Sequence, residues 1–176
     1  MGEKRELTLR PIGRVIRGQP CPEQDWPEQG QPDQDNRWAE EPAEIEIDAA
    51  WAEALDGVEG FSHIWVVWWL DRFETTPTSL HVHPQRRQDM PLVGLFATRS
   101  PHRPCPIAIT VVRLLERREA RLVVQGLDAC QGTAIIDIKP YLRRGDLVAD
   151  ATAPEWLEEL WVRHDDEQRA RGEGAA

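Results

Sequence analysis

Two short stretches concentrate the side chains that could do chemistry. In the first, Arg99, Ser100, His102, Arg103 and Cys105 share one loop, so two guanidiniums, a hydroxyl, an imidazole and a thiol lie close along the chain. Guanidiniums grip carboxylates and phosphates through charge-assisted hydrogen bonds. Cys105 has no base signature beside it and reads as a small residue rather than a nucleophile. The second stretch, Gly126-Leu127-Asp128-Ala129-Cys130-Gln131-Gly132-Thr133, sets a carboxylate, an amide and a hydroxyl among glycines and small residues. Such a pattern holds and orients a polar ligand; it does not require a covalent intermediate. Metal chemistry has little to build on. There is no CxxC, and the five histidines form no ligand array beyond His81-Val82-His83, which reads as a polar strand edge.

The elements that must position these groups follow from patterning. Pro101, Pro104 and Pro106 each fix their own φ and push the preceding residue towards extended geometry, which leaves the first loop few conformations. An apolar strand enters it at Val93, Leu95 and Phe96, and a β-branched run from Ile107 leaves it. That run reads as one arm of a hairpin, Ile107 to Glu116, then a charged turn at Arg117-Arg118-Glu119, then Arg121 to Leu127. The second loop is followed by a strand from Ala134 to Ile138. Upstream, Leu7 to Ile16 alternates as a half-buried strand broken near Pro11 and Gly13, and Ala43 to Ile47 is a further strand. Asp48 is placed to cap a short helix ending at Gly57, and Phe61 to Leu70 reads as a strand buried on both faces, with His63 a satisfied core residue. Gly18 to Pro42, rich in Pro, Gln, Asp and Glu, is a long loop. Thr152 and Glu155 form a capping box with Pro154 in the first turn, and Trp156, Leu157, Leu160 and Trp161 give the helix that follows an apolar stripe. The predicted class is mostly β: a small antiparallel barrel-like domain over 1–147 with short helices, then a C-terminal helix and tail over 148–176.

With 176 residues and 40% apolar content the chain can bury one substantial core, and eight tryptophans exceed what a surface needs. The formal net charge of −10 gives no support to free-standing nucleic-acid binding, and DNA is not an expected partner. The arginines nevertheless crowd the middle of the chain, from Arg86 to Arg121, while acidic residues crowd the segments on either side. The densest apolar run, Ile64 to Leu70, is too short to cross a bilayer, so no membrane is expected. Cys21, Cys105 and Cys130 read as unpaired, which together with the lack of a leader-like start points to the cytoplasm.

Three blocks in fixed order carry a family resemblance. FATRSPHRPCPIAIT resembles FATRSxxRPNPIGLS, GVEGFSHIWVVWWL resembles GLExFSHLW, and GLDACQGTAIIDIKPYL resembles GLDxxDGTPVxDIKPYx. These are signatures of the TrmO-like family (YaeB or TsaA-like), S-adenosylmethionine-dependent tRNA methyltransferases, and the resemblance runs from about Leu9 to Leu142. It implies S-adenosylmethionine as cofactor, and a cofactor site that takes in Arg99 and Ser100, the residue at Ile109, and Asp128, Cys130, Gln131, Gly132 and Thr133. Asp71 and Arg72 stand where the family has a His-Gln-like pair against the cofactor. The family's Pro-x-Gln is matched twice, by Pro27-Glu28-Gln29 and Pro32-Asp33-Gln34, and the distance to the following strand favours Gln34. No catalytic residue is assigned.

The resemblance implies N6-methylation of a modified adenosine in tRNA by a homodimer. Several motif positions depart from the family: the Asn of NPIG is Cys105, its Gly is Ala108, and the Asp and Pro of DGTP are Gln131 and Ala134. Two other readings therefore stand beside the first: a module that binds S-adenosylmethionine without methylating tRNA, and a methyltransferase of a small molecule.

Overall fold

The computed structural model describes residues 8–19, 40–72 and 79–172. Gln34, both Pro-x-Gln candidates, Cys21, Trp26 and Trp38 lie outside the described residues. The described chain forms two compact units, one from residues 8–19, 40–72 and 101–142 and the other from residues 79–100 and 143–172.

The first unit is a closed antiparallel barrel. Its strands are β1 (Gly13–Arg17), β2 (Pro42–Ile47), β3 (His63–Trp69), β6 (Ile107–Arg118), β7 (Arg121–Gln125) and β8 (Ala134–Pro140), in the order β1-β2-β7-β6-β3-β8 around the wall. Period-two alternation fills it: Val15, Ile45, Ile47, Ile64, Val66, Trp68, Val112, Leu122, Val124 and Ile135 turn inward and are buried. The alternation corrects the reading of β3. Ile64, Val66 and Trp68 are buried, but His63, Trp65, Val67 and Trp69 on the outer face are only half-buried, because a closed barrel has one inside. His63 sits on that outer face, its Nδ1 3.0 Å from Ser62 Oγ and its ring edge-on to Tyr141.

β6 is the longest strand, and neither neighbour spans it. β3 pairs with it from Trp69↔Ile107 to His63↔Arg113, and β7 only from Arg113↔Gln125 to Arg118↔Arg121, with a bulge between Leu114 and Glu116. The β6–β7 turn is tighter than expected, at Glu119 and Ala120, with Glu119 at φ 54°. Below that turn, 3-10 helices at Ala49–Leu55 and Val58–Gly60 close the barrel end in place of the expected helix, and Asp48 makes no side-chain cap. Arg117 binds them to the wall: its guanidinium donates to Asp56 Oδ1 (2.7 Å), Glu59 Oε2 (3.3 Å), Leu55 O (3.0 Å) and Glu119 O (3.1 Å). Much of the central arginine run is spent in this way, for Arg118 pairs with Glu116, Arg121 with Glu46 and Arg87 with Asp89.

In the second unit the expected strand at Val93 to Phe96 shortens to β5 (Val93–Gly94), paired with β4 (His81–Val82), and the chain then turns into a 3-10 segment, Leu95–Ala97. Leu95 is buried and Phe96 is 81% exposed. Among the described residues α1 (Arg143–Asp146) is a single turn, whereas α2 (Glu155–Gly172) is long. The capping box does not form among the described hydrogen bonds: the first helical bonds run to the Pro154 carbonyl, from Leu157 and Glu158. Leu160 is buried and Trp156 and Leu157 half-buried, but Trp161 is 52% exposed and falls outside the stripe. Arg163 fixes the helix by donating to Asp89 Oδ2 at 2.6 Å. No helix among the described residues is long and apolar enough to cross a membrane.

Leu122 is fully buried, so Leu122→Ala should cost about 2–5 kcal/mol in urea unfolding. The Glu59 carboxyl is held below its ordinary range by its own backbone N–H and by Arg117, which is itself pushed up, first by Asp56. A carboxylate with a depressed folded-state pKa stabilises above its unfolded value and loses that contribution as pH falls through the folded one. The melting midpoint of Arg117→Ala should accordingly lie below that of the wild-type protein at neutral pH and approach it in acid. A constant gap across that range would remove Arg117 from its role.

Candidate functional site: one end of the barrel

In this antiparallel barrel the ends of β1, β3 and β7 and the starts of β2, β6 and β8 share one end. That topology places Asp71 and Arg72, Ile109 and the loop 126–133 on the same rim. Asp71 and Arg72 form the exposed turn after β3. The three prolines of the preceding loop do what their chemistry dictates: Pro106 is buried and its carbonyl accepts from Leu70 N–H (2.8 Å), while Arg103 N–H and Ile107 N–H close tight turns onto Pro101 and Cys105 carbonyls.

Loop 126–133 is fixed on β1. Gln131 N–H donates to Gln19 O (3.1 Å), Gly132 N–H to Val15 O (2.8 Å), and Val15 N–H to Thr133 O (2.9 Å). Leu127, Ala129 and Thr133 are buried, which leaves Asp128, Gln131 and Gly132 as its exposed members. Two glycines make the arrangement feasible. At Gly18 a Cβ would come within 2.8 Å of the Ala129 carbonyl, and Gly132 has φ +91°. Cys130 is disulfide-bonded, so the expectation of unpaired thiols fails there; Cys105 is free and exposed.

Above Arg113 the edge of β6 is open. Leu70 N–H donates to Pro106 O and Leu114 N–H to Ser62 O, so the even-numbered residues direct their backbone groups at β3. Ile109 and Val111 therefore turn N–H and C=O to the other side, where pairing with β7 has stopped, and among the described residues no backbone group fills that edge. Ile109 is 49% exposed. Beside this edge, Trp68 Nε1 donates to Thr110 Oγ1 (3.3 Å) and Thr110 Oγ1 donates to Asp128 Oδ1 (2.7 Å). Trp68 and Thr110 were not among the expected site residues. Strand alternation could have found them, since it puts both inside the barrel near the rim.

Arg99 and Ser100 belong to the second unit. Thr98 Oγ1 donates to Leu95 O (2.9 Å) and accepts from Ser100 N–H (3.2 Å), a local hydroxyl turn that leaves Arg99 exposed. Among the described residues Arg99 makes no ion pair, which leaves its charge available to an anion. In the His81-Val82-His83 stretch, His83 Nδ1 lies 2.7 Å from the Met90 carbonyl. Among the described residues no cluster of three or more His, Cys, Asp or Glu could hold a metal.

Residues 23–147 match the model of the tRNA-methyltransferase O N-terminal domain. The chain is 41% identical over 136 residues to a probable S-adenosyl-L-methionine-binding protein of Methanothermobacter thermautotrophicus, covering 77% of this chain and 90% of the relative. A probable S-adenosyl-L-methionine-binding protein of Archaeoglobus fulgidus is 44% identical over 123 residues, 70% of this chain but 32% of the relative. The human tRNA (adenine(37)-N6)-methyltransferase is 33% identical over 101 residues, 57% of this chain and 23% of that protein. Among solved structures, TrmO from Pseudomonas aeruginosa superposes with a TM-score of 0.60 at 28% identity, over 86% of this chain and 63% of that one. The chain thus spans about a third of the Archaeoglobus fulgidus protein and under two thirds of the solved TrmO chain.

Gly132→Ala places a side chain in left-handed backbone and should cost about 1–3 kcal/mol in urea unfolding. An unchanged unfolding midpoint would show that the loop does not need this conformation.

Proposed function

The chain belongs to the family defined by the tRNA-methyltransferase O N-terminal domain, and from that premise we propose that it binds S-adenosylmethionine and methylates N6 of an adenosine in tRNA. The observation that carries the reading is the rim itself, where an exposed acceptor, Asp128, stands on a fixed loop beside the open backbone edge of Ile109 and Val111.

That rim fits an adenine nucleoside. A residue's N–H and C=O on an open strand edge form a donor and acceptor pair, which complements the acceptor N1 and donor N6 of adenine as a neighbouring strand would. Asp128 offers acceptors to ribose hydroxyls; Arg99 is assigned to the cofactor's carboxylate by the family motif, its guanidinium being a suitable cation. The cofactor would supply the electrophilic methyl group. The protein's own work is orientation and exclusion of water, with no covalent residue required. On this reading Gln34, Asp71, Arg72, Ser100 and Gln131 complete the cofactor contacts, and the active form is a homodimer.

A second reading is favoured by particular residues. Cys105, Gln131 and Ala134 replace the family's Asn, Asp and Pro, and Asp71-Arg72 replaces its His-Gln-like pair. These changes fit a protein that holds the cofactor, or its demethylated product, without acting on tRNA.

Calorimetry with S-adenosylmethionine tests what the readings share, since no binding removes both. Arg99→Ala should weaken that binding by roughly 1–3 kcal/mol. Mass spectrometry of nucleosides from deletion-strain tRNA separates them: loss of an N6-methylated adenosine, restored by the gene, supports the enzyme, and an unchanged profile supports the binding module.

A further inference from the structure

The hydrogen-bonded series from Trp68 through Thr110 to Asp128 joins a buried indole on β3 to an exposed carboxylate on the loop that follows β7. Its direction is fixed by chemistry alone. An indole Nε1 only donates and an ionised carboxylate only accepts. The Thr110 hydroxyl between them must therefore accept from Trp68 and spend its single hydrogen on Asp128 Oδ1. A hydroxyl at residue 110 satisfies both neighbours at once, which the isosteric valine could not do.

Burial makes the series stiff. Trp68 is 7% exposed and holds its place in the β3 alternation, and Thr110 is β-branched and half-buried on β6. Asp128 follows Leu127, which is 1% exposed, and precedes Ala129, which is 0% exposed, so its backbone is fixed on both sides. With Oδ1 committed to Thr110, the carboxylate loses most of its rotational freedom. Oδ2 takes no hydrogen bond among the described residues, and its lone pairs face a fixed direction on the rim.

We propose that Thr110 and Trp68 are positioning residues: they hold the Asp128 carboxylate so that Oδ2 accepts hydrogen bonds from the vicinal hydroxyls of a ribose. This rests on the reading of the rim as a nucleoside-cofactor site and specifies how that site selects its ligand. An unrestrained aspartate on an exposed loop would have to be ordered on binding; here the ordering is already present in the free protein.

The test uses the full chain and S-adenosylhomocysteine as probe, with affinities from calorimetry well below each variant's melting midpoint. Asp128→Asn should weaken binding roughly tenfold or more, because a charged acceptor is lost. Thr110→Val should weaken it roughly three- to tenfold, and Thr110→Ser should recover most of that loss. In the double variant, Thr110→Val should add nothing to Asp128→Asn, because Thr110 acts through Asp128. The 2′-deoxy form of the probe should bind the wild-type protein more weakly and respond little to Asp128→Asn.

If the wild-type protein does not bind the probe, the nucleoside-site reading fails, and this proposal with it. If it binds and Asp128→Asn is silent, the site stands and Asp128 is not in it. If Asp128→Asn weakens binding while Thr110→Val is silent, or the two losses simply add, positioning is overturned alone. A purely structural Thr110 would lower the melting midpoint of Thr110→Val while leaving its affinity unchanged.

Discussion

The structure depends on one mismatch of length. β6 runs for twelve residues, its second half pairs with β7, and its first half pairs with β3. Pairing both halves closes the barrel wall, and it leaves the backbone edge of Ile109 and Val111 bare among the described residues. Bare edges are costly to leave in solvent-facing sheets and are usually blunted or covered. Loop 126–133 runs beside this one without pairing to it and reaches across to β6 through the Thr110–Asp128 hydrogen bond. The rim is therefore built from what the wall leaves over.

The opposite end is closed by charge. Arg117 gathers Asp56, Glu59 and two carbonyls around one guanidinium, a planar fork with enough donors to serve four acceptors. Ion pairs between exposed groups contribute little singly, and the pairs along β1, β2 and β7, such as Arg14 and Arg121 with Glu46, are of that kind. Their larger effect is on the surface field. With Arg117, Arg118 and Arg121 paired to carboxylates, the arginine-rich middle of the sequence is not a continuous basic face. Arg99, held exposed by the Thr98 turn, makes no such pair among the described residues.

Much of the arrangement was legible beforehand. Alternation in Ala43 to Ile47, in Ile107 to Glu116 and in Arg121 to Leu127 gives strands within a few residues of those observed, and the three motif blocks name the loops proposed for the site. Failures came where a local signal met a competing one. Thr152 has the chemistry of a cap, but Pro154 takes the capping position and its carbonyl starts the helix. Val93 to Phe96 has the apolarity of a strand, yet it pairs as a strand only over Val93–Gly94 with the two-residue β4 among the described residues, then turns at Leu95 and exposes Phe96.

The amino-acid sequence by itself determined the fold class, the family and the residues of the two turns, because period-two patterning, proline and glycine act over a few neighbours and survive without knowledge of contacts. Only the tertiary structure decided which strand lies beside which. That pairing exposes the backbone at Ile109, buries Thr133 while leaving Asp128 outside, and places the Thr110 hydroxyl between an indole and a carboxylate drawn from segments far apart in the chain. Those outcomes depend on long-range register, which no short window of sequence encodes.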